Sequence, residues 1–181
     1  ERSQLPPLSH DGKALLNILE TYPRDELFQI SDERLLEISL GVLRLQDRQN
    51  VALFIRHDDF QRFVSCLVYV PRDNYSTDLR LRMQYILENA IGGEVTAHYA
   101  QLGEQALARL HLVIKTTPGK ISKYDERKVE AELREEARTW GDKIIDALNQ
   151  KYGEEEGARL GGLYSNAFDA GYRSRFSPET S

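Results

Sequence analysis

The feature that most limits how this chain can fold is a nine-residue run, Arg62–Val70, closed by Pro71. Phe63, Val64, Leu67, Val68, Tyr69 and Val70 are aromatic, β-branched or aliphatic, and near its middle the run is apolar on both faces. Such residues favour an extended chain, and a strand with two apolar faces belongs inside a sheet covered on both sides. Pro71 ends the strand because proline cannot donate to a ladder. Upstream, Val51, Leu53 and Ile55 alternate with Ala52, Phe54 and Arg56, and His57-Asp58-Asp59 is polar. The two segments predict an antiparallel hairpin.

The flanking segments supply further elements. A short helix is expected at Gly12–Thr21, with Asp11 as N-cap and Tyr22-Pro23 as its stop. Leu27, Phe28 and Ile30 make Asp25–Ile30 a strand candidate. Ser31 caps a helix whose Leu36, Leu40 and Leu43, joined by Leu35 and Val42, form one apolar stripe as far as Leu45. Ser76 or Thr77 caps another, with Leu79, Met83, Ile86, Leu87 and Ala90 on one face and Gly92-Gly93 as its end. Glu94–Leu102 and Ala106–Thr116 read as strands joined by Gly103-Glu104-Gln105, and Thr117-Pro118-Gly119 turns out of the sheet.

This order predicts an α+β fold: a ferredoxin-like βαββαβ sandwich with an extra strand. Two helices would cover one sheet face, leaving the other to a carboxy-terminal helix or a neighbouring copy. Beyond the sheet, Ser122-Lys123-Tyr124-Asp125 has a capping-box pattern. Val129, Leu133, Ala137, Trp140, Ile144, Leu148 and Tyr152 then follow at steps of four, four, three, four, four and four, so one helix of about eight turns is expected. Another is expected between Glu154 and Ala170. The domains expected are a linker and short helix at 1–23, a ferredoxin-type domain at 24–118 and a helical extension with long helices at 119–181. The chain opens on Glu1, so it reads as a segment of a longer polypeptide.

Charge and composition narrow the function. The chain holds 29 acidic and 24 basic residues with no basic block, which argues against nucleic acid as a partner. No stretch of about 18 apolar residues exists to cross a membrane. A single cysteine, Cys66, permits no internal disulfide and fits a reducing, cytoplasmic compartment. An RNA-recognition module shares the βαββαβ order, but Arg62-Phe63-Val64-Ser65-Cys66-Leu67 lacks that class's glycine and aromatic pattern.

Catalytic chemistry finds little support. Gly157-Ala158-Arg159-Leu160-Gly161-Gly162 has the wrong spacing for a dinucleotide turn, and Gly119-Lys120 matches a phosphate loop for two residues only. His10, His57, His98 and His111 have no metal-ligand spacing, and His98 and His111 read as sheet residues. Neither a catalytic nor a metal-binding residue is assigned, and no cofactor is expected within the segment. The segment richest in charge and hydrogen-bonding groups is Pro71–Arg80, where a central strand feeds a helix. Arg72, Asp73, Asn74, Thr77 and Arg80 are therefore candidates for an anion, effector or interface site. Helix capping by Asp73, Ser76 and Thr77 accounts for the same residue types.

Three strings carry a family resemblance: Ser9–Phe28 (SHDGKALLNILETYPRDELF), Arg62–Asp73 (RFVSCLVYVPRD) and Leu107–His111 (LARLH). Together they resemble the amino-terminal regulatory half of the large bacterial NAD-specific glutamate dehydrogenases, in its ACT-like part. The resemblance implies a non-catalytic regulatory or assembly segment. The parent would oxidise L-glutamate with NAD and water to 2-oxoglutarate, ammonia and NADH, with its catalytic lysines elsewhere. Its partners would be the rest of the parent polypeptide, further copies in a homo-oligomer, and a small-molecule effector. A free-standing ACT-type sensor of an amino acid or small anion is the alternative. ACT domains commonly use a glycine between the first strand and first helix, whereas Gln29-Ile30-Ser31-Asp32 has none.

Overall fold

The computed structural model describes residue 6 and residues 8–46, 50–102, 106–164, 167, 168 and 172. Within them the elements run α1 (His10–Glu20), α2 (Arg24–Leu27), α3 (Asp32–Gln46), β1 (Ala52–His57) and β2 (Phe63–Pro71). A 3-10 turn at Arg72–Asn74 leads to α4 (Thr77–Ile91), β3 (Glu94–Gln101), β4 (Leu107–Lys115), α5 (Glu126–Glu136), α6 (Trp140–Tyr152) and α7 (Glu154–Tyr164). Two compact units result, residues 1–136 and 137–181. The expected turn at Gly103-Glu104-Gln105 and most of the expected linker lie outside the described residues.

The first unit is built on a four-stranded antiparallel sheet in the order β1-β2-β4-β3. The predicted hairpin is present, with Leu53 opposite Val68 and Ile55 opposite Cys66. β2 is central, pairing with β1 on one side and, from Phe63↔Lys115 to Pro71↔Leu107, with β4 on the other. β2 and β3 run parallel with β4 between them, so β2-α4-β3 is a split crossover unit. Val64, Cys66, Val68 and Val70 are fully buried on the face that carries Leu110, Leu112 and Ile114 of β4. Helices α4 and α5 cover that face through Leu79, Met83, Leu87, Ile91, Val129 and Leu133. Ser76 caps α4 as expected, accepting from the Leu79 N–H at 3.1 Å, and Gly92 ends it at φ 77°, a conformation glycine adopts without a Cβ penalty.

The other face is where expectation and structure part. It is covered by the amino-terminal helices rather than by the carboxy-terminal helix or another copy. Ile18 and Tyr22 from the α1 end and Ile38 and Val42 from α3 pack on Leu67, Tyr69 and Leu107. The cap of α1 is Ser9, two residues before Asp11, accepting from the Gly12 N–H at 3.0 Å. Ser31 caps α3 as expected, accepting from the Arg34 N–H at 3.3 Å.

The expected first strand at Asp25–Ile30 is instead the single turn α2 with its following bends, so the βαββαβ order is replaced by ββαββ with α5 after it. In a βαββαβ sheet the first strand lies beside the third, and that place beside β2 is taken here by β4, while side chains satisfy the outer edge of β1. The Glu130 carboxylate accepts from the outward N–H of Leu53 at 3.2 Å, and the Arg34 guanidinium donates to the outward carbonyl of Ile55 at 3.0 Å. Phe28, one of the residues that suggested a strand, is 89% exposed.

The expected eight-turn helix is two helices. Asp125, not Ser122, begins α5, its carboxylate accepting from the Arg127 N–H at 3.0 Å. The Glu130–Arg134 ion pair forms at 2.7 Å. The break falls at the three-residue step of the apolar stripe. There Thr139 accepts from the Asp142 N–H at 3.0 Å while Asp142 accepts from the Thr139 N–H at 2.9 Å, a reciprocal cap that starts α6.

In the second unit two glycines of the Gly157–Gly162 stretch serve helix packing. A Cβ on Gly157 would stand 2.6 Å from the Asn149 Cα, and one on Gly161 2.6 Å from an Ile145 side-chain carbon, so α6 and α7 approach through them. Trp140, Phe168 and Tyr172 make an aromatic cluster, with centroids 5.0 Å apart for Trp140–Phe168 and 4.7 Å for Phe168–Tyr172.

Candidate functional site

Alternation along the strands places Arg56, Ser65, Arg109 and His111 on the same sheet face as Leu67 and Tyr69. Polar groups on a covered face are costly unless each finds a partner. The single turn α2 supplies one. Pro23 starts it, its carbonyl accepting from the Glu26 N–H at 3.1 Å, and Glu26 is delivered onto the sheet with only 3% of its surface exposed. Arg56 Nε donates to Glu26 Oε2 at 2.7 Å and Arg56 Nη2 to Glu26 Oε1 at 2.8 Å. This forked geometry satisfies both oxygens at once. The hydrogen bond to Glu26 raises the Arg56 pKa further, so the guanidinium stays charged.

His111 stands beside the pair. Its Nε2 lies 2.9 Å from Ser65 Oγ and 3.7 Å from Glu26 Oε1. Burial lowers its pKa below the usual histidine value, and Arg109 and Arg56 oppose its protonation further. Glu26 pulls the other way, but its charge is already matched by Arg56, so the neutral ring is favoured. Burial likewise pushes the Tyr22 phenol well above its ordinary range, with Glu26 adding to the effect, so Tyr22 is neutral here.

Ser65, His111 and Glu26 superficially match a nucleophile, base and acid. The geometry is wrong for that chemistry: serine and carboxylate both approach Nε2, whereas a triad needs them on opposite ring nitrogens. Ser65 is 2% exposed, out of a substrate's reach. Cys66 is fully buried, and burial raises its pKa well above the reactive range. Among the described residues no group of three or more His, Cys, Asp or Glu is placed to hold a metal ion. None of the described helices is long and apolar enough to cross a membrane.

The cluster opens to solvent at one side. A cavity of about 290 Å³ is lined by Arg24, Asp25, Tyr99, Gln101, Arg109 and His111, among others. Arg109 is held across its wall, donating to the Thr21 carbonyl at 2.6 Å and to the Gln101 side-chain oxygen. The Tyr99 ring lies with its centroid 5.8 Å from that of His111. A second cavity, about 440 Å³, lies between α1 and the sheet beside Lys13, Asn17, Tyr69 and Leu107. A wide polar groove of about 880 Å³ runs past Glu88, Gly93 and Lys115.

The residues singled out from the sequence occupy a different place. Arg72, Asp73 and Asn74 form the 3-10 turn after β2, and Thr77 opens α4. Arg72 Nε lies 3.8 Å from the exposed carboxylate of Asp73, while Arg80 Nη1 donates to Gln84 Oε1 at 3.2 Å. None of the five lines the three cavities above. The sequence pattern does not reveal the buried cluster, because the apolar residues around Glu26 suggest a strand and His111 alternates like an ordinary sheet residue. One signal is nonetheless present in the sequence: Arg109 and His111 stand two apart in a run, Leu107–Ile114, whose other residues are all apolar.

The chain matches known glutamate dehydrogenase segments end to end. Residues 1–48 match helical motif 1 of glutamate dehydrogenase, residues 52–141 its ACT2 domain and residues 147–181 its helical motif 2. Among relatives, the NAD-specific glutamate dehydrogenase of Halomonas elongata is 42% identical over 174 residues, covering 96% of this chain. Those of Pseudomonas aeruginosa and Mycobacterium tuberculosis are 34% and 33% identical, over 98% and 94% of it. In each case the chain spans 11% of the relative's length.

Two outcomes follow for the cluster. Arg56→Met leaves the Glu26 carboxylate buried without its partner and should cost about 3–5 kcal/mol in urea denaturation. Adding Glu26→Gln should restore at least half of that, and strictly additive losses would show that the pair is not coupled. The second concerns pH. A histidine whose folded pKa lies below its unfolded value of about 6.5 binds a proton more readily when unfolded, so it lowers stability as pH falls below about 6.5. The stability advantage of the native chain over His111→Gln should therefore shrink by up to about 1 kcal/mol between pH 6.5 and 5.5. A difference constant with pH would place the charged ring in the folded state.

Proposed function

We propose a role from one premise: this chain belongs to the family of NAD-specific glutamate dehydrogenases. In this reading it is a non-catalytic regulatory and assembly segment from the amino-terminal half of a large cytoplasmic enzyme. The parent converts L-glutamate, NAD and water to 2-oxoglutarate, ammonia and NADH, and the groups that do so lie elsewhere in that polypeptide. The observation that carries the reading is the unbroken order of helical motif 1, ACT2 domain and helical motif 2 along this chain.

The fold supports an assembly role. Helical motif 1 contains α1, α2 and α3, which cover one face of the ACT2 sheet over β2 and β4, while α4 and α5 cover the other. With β1, β2 and β4 covered on both faces and β3 largely exposed, contacts to the rest of the parent or to further copies fall on β3 and on helix surfaces. The turn and helix start carrying Arg72, Asp73, Asn74, Thr77 and Arg80 is such a surface, and in this reading it is an interface within a homo-oligomer.

The test uses the full-length enzyme with Arg72→Ala and Arg80→Ala together. Light scattering should show a smaller assembly, with the circular dichroism of the fold unchanged. An unchanged mass would remove these residues from the interface. A fall in kcat of several orders of magnitude at unchanged mass would place the segment in the active site and overturn the non-catalytic reading.

A further inference from the structure

The cavity beside α2 has the lining of a ligand site. At about 290 Å³ it sits at the small end of the range for small-molecule pockets. Arg24 contributes a guanidinium that has no hydrogen bond or ion pair among the described residues. Arg109 contributes a second, fixed in place by the Thr21 carbonyl and Gln101. Because the Gln101 oxygen is taken by Arg109, its amide N–H groups remain as donors. His111 is 95% buried by its 5% exposure and lines the same cavity, and its Nδ1 has no partner among the described residues once Nε2 is engaged by Ser65.

Donors therefore outnumber acceptors around this space. Two arginines against the single carboxylate of Asp25 leave the lining with a net charge of +1, His111 being neutral, and Glu26 behind it is already matched by Arg56. A planar anion of small size answers that arrangement, since a carboxylate presents two oxygens to a guanidinium fork.

We propose that this cavity binds a small carboxylate, with Arg24 and Arg109 as its cationic contacts, Gln101 as an amide donor and His111 as a donor in the tautomer whose Nε2 accepts from Ser65. Asp25 at the rim is placed to receive an ammonium group, so a plain carboxylate and an α-amino carboxylate share the site's chemistry. The inference names a site for the regulatory reading above; it rests on that reading for what binding does, and not for binding itself.

The experiment is an amide NMR titration of this chain with propionate, succinate and L-alanine, each to tens of millimolar, with inorganic phosphate as a control. Saturating shifts should appear at Arg24, Tyr99, Gln101, Arg109 and His111 with at least one carboxylate. Arg24→Ala, an exposed change that should leave the melting temperature in place, should weaken that binding about tenfold or more. Tighter binding of L-alanine than of propionate assigns Asp25 its ammonium role, and the reverse assigns a plain carboxylate. No saturating shift, shifts centred elsewhere, undiminished binding in Arg24→Ala, or phosphate binding as tightly as every carboxylate would each overturn the proposal. Binding that survives these tests while full-length kinetics ignore the same compound would leave the site standing and remove its regulatory meaning.

Discussion

Everything in the first unit depends on covering both sides of β2. A strand whose Val64, Cys66, Leu67, Val68 and Val70 are all buried is stable only between two layers. Each fully buried aliphatic side chain contributes about 1.5–3 kcal/mol, so an uncovered face would forfeit much of the marginal stability of a domain this size. On the α4–α5 side the chain solves this with continuous apolar helix faces. On the α1–α3 side it does so with an apolar patch bordered by a buried ion pair, Glu26–Arg56, and by Ser65–His111.

That border explains why a turn of only four residues matters. The hydrophobic effect is non-directional, so burial of apolar area does not by itself choose one position of a helix pair over a sheet. A forked carboxylate–guanidinium pair, with each oxygen taken at under 3 Å, accepts one position only. Arg109 reaches the Thr21 carbonyl and Arg34 reaches the Ile55 carbonyl, so α1 and α3 are registered to the strands at two further points. The net energetic gain of such buried pairs is small, and their contribution here is the fixing of register.

Much of this was legible in the sequence. The hairpin, the central strand, the caps at Ser31 and Ser76 and the end at Gly92 depend on local patterns, and local patterns survive into the fold. The failures share a physical origin. Asp25–Ile30 has strand-like apolar residues, but the place beside β2 that it would need is taken by β4, far away in sequence. The continuous stripe from Val129 to Tyr152 is compatible with one helix, and only the reciprocal Thr139–Asp142 cap interrupts it. The candidate site was the hardest to read, since Glu26, Arg56, Ser65 and His111 lie on four separate elements and meet only after the amino-terminal helices dock.

The most direct test of this account is native-state hydrogen exchange resolved by residue. If the amino-terminal helices are an integral layer, the amides of Ile38 and Val42 should open with free energies within about 1 kcal/mol of those of Leu67 and Leu110. Exchange of the α3 amides at free energies several kcal/mol lower than the β2 and β4 amides would contradict it. The helices would then be a loosely attached appendage, and β2 would be stable with one face uncovered.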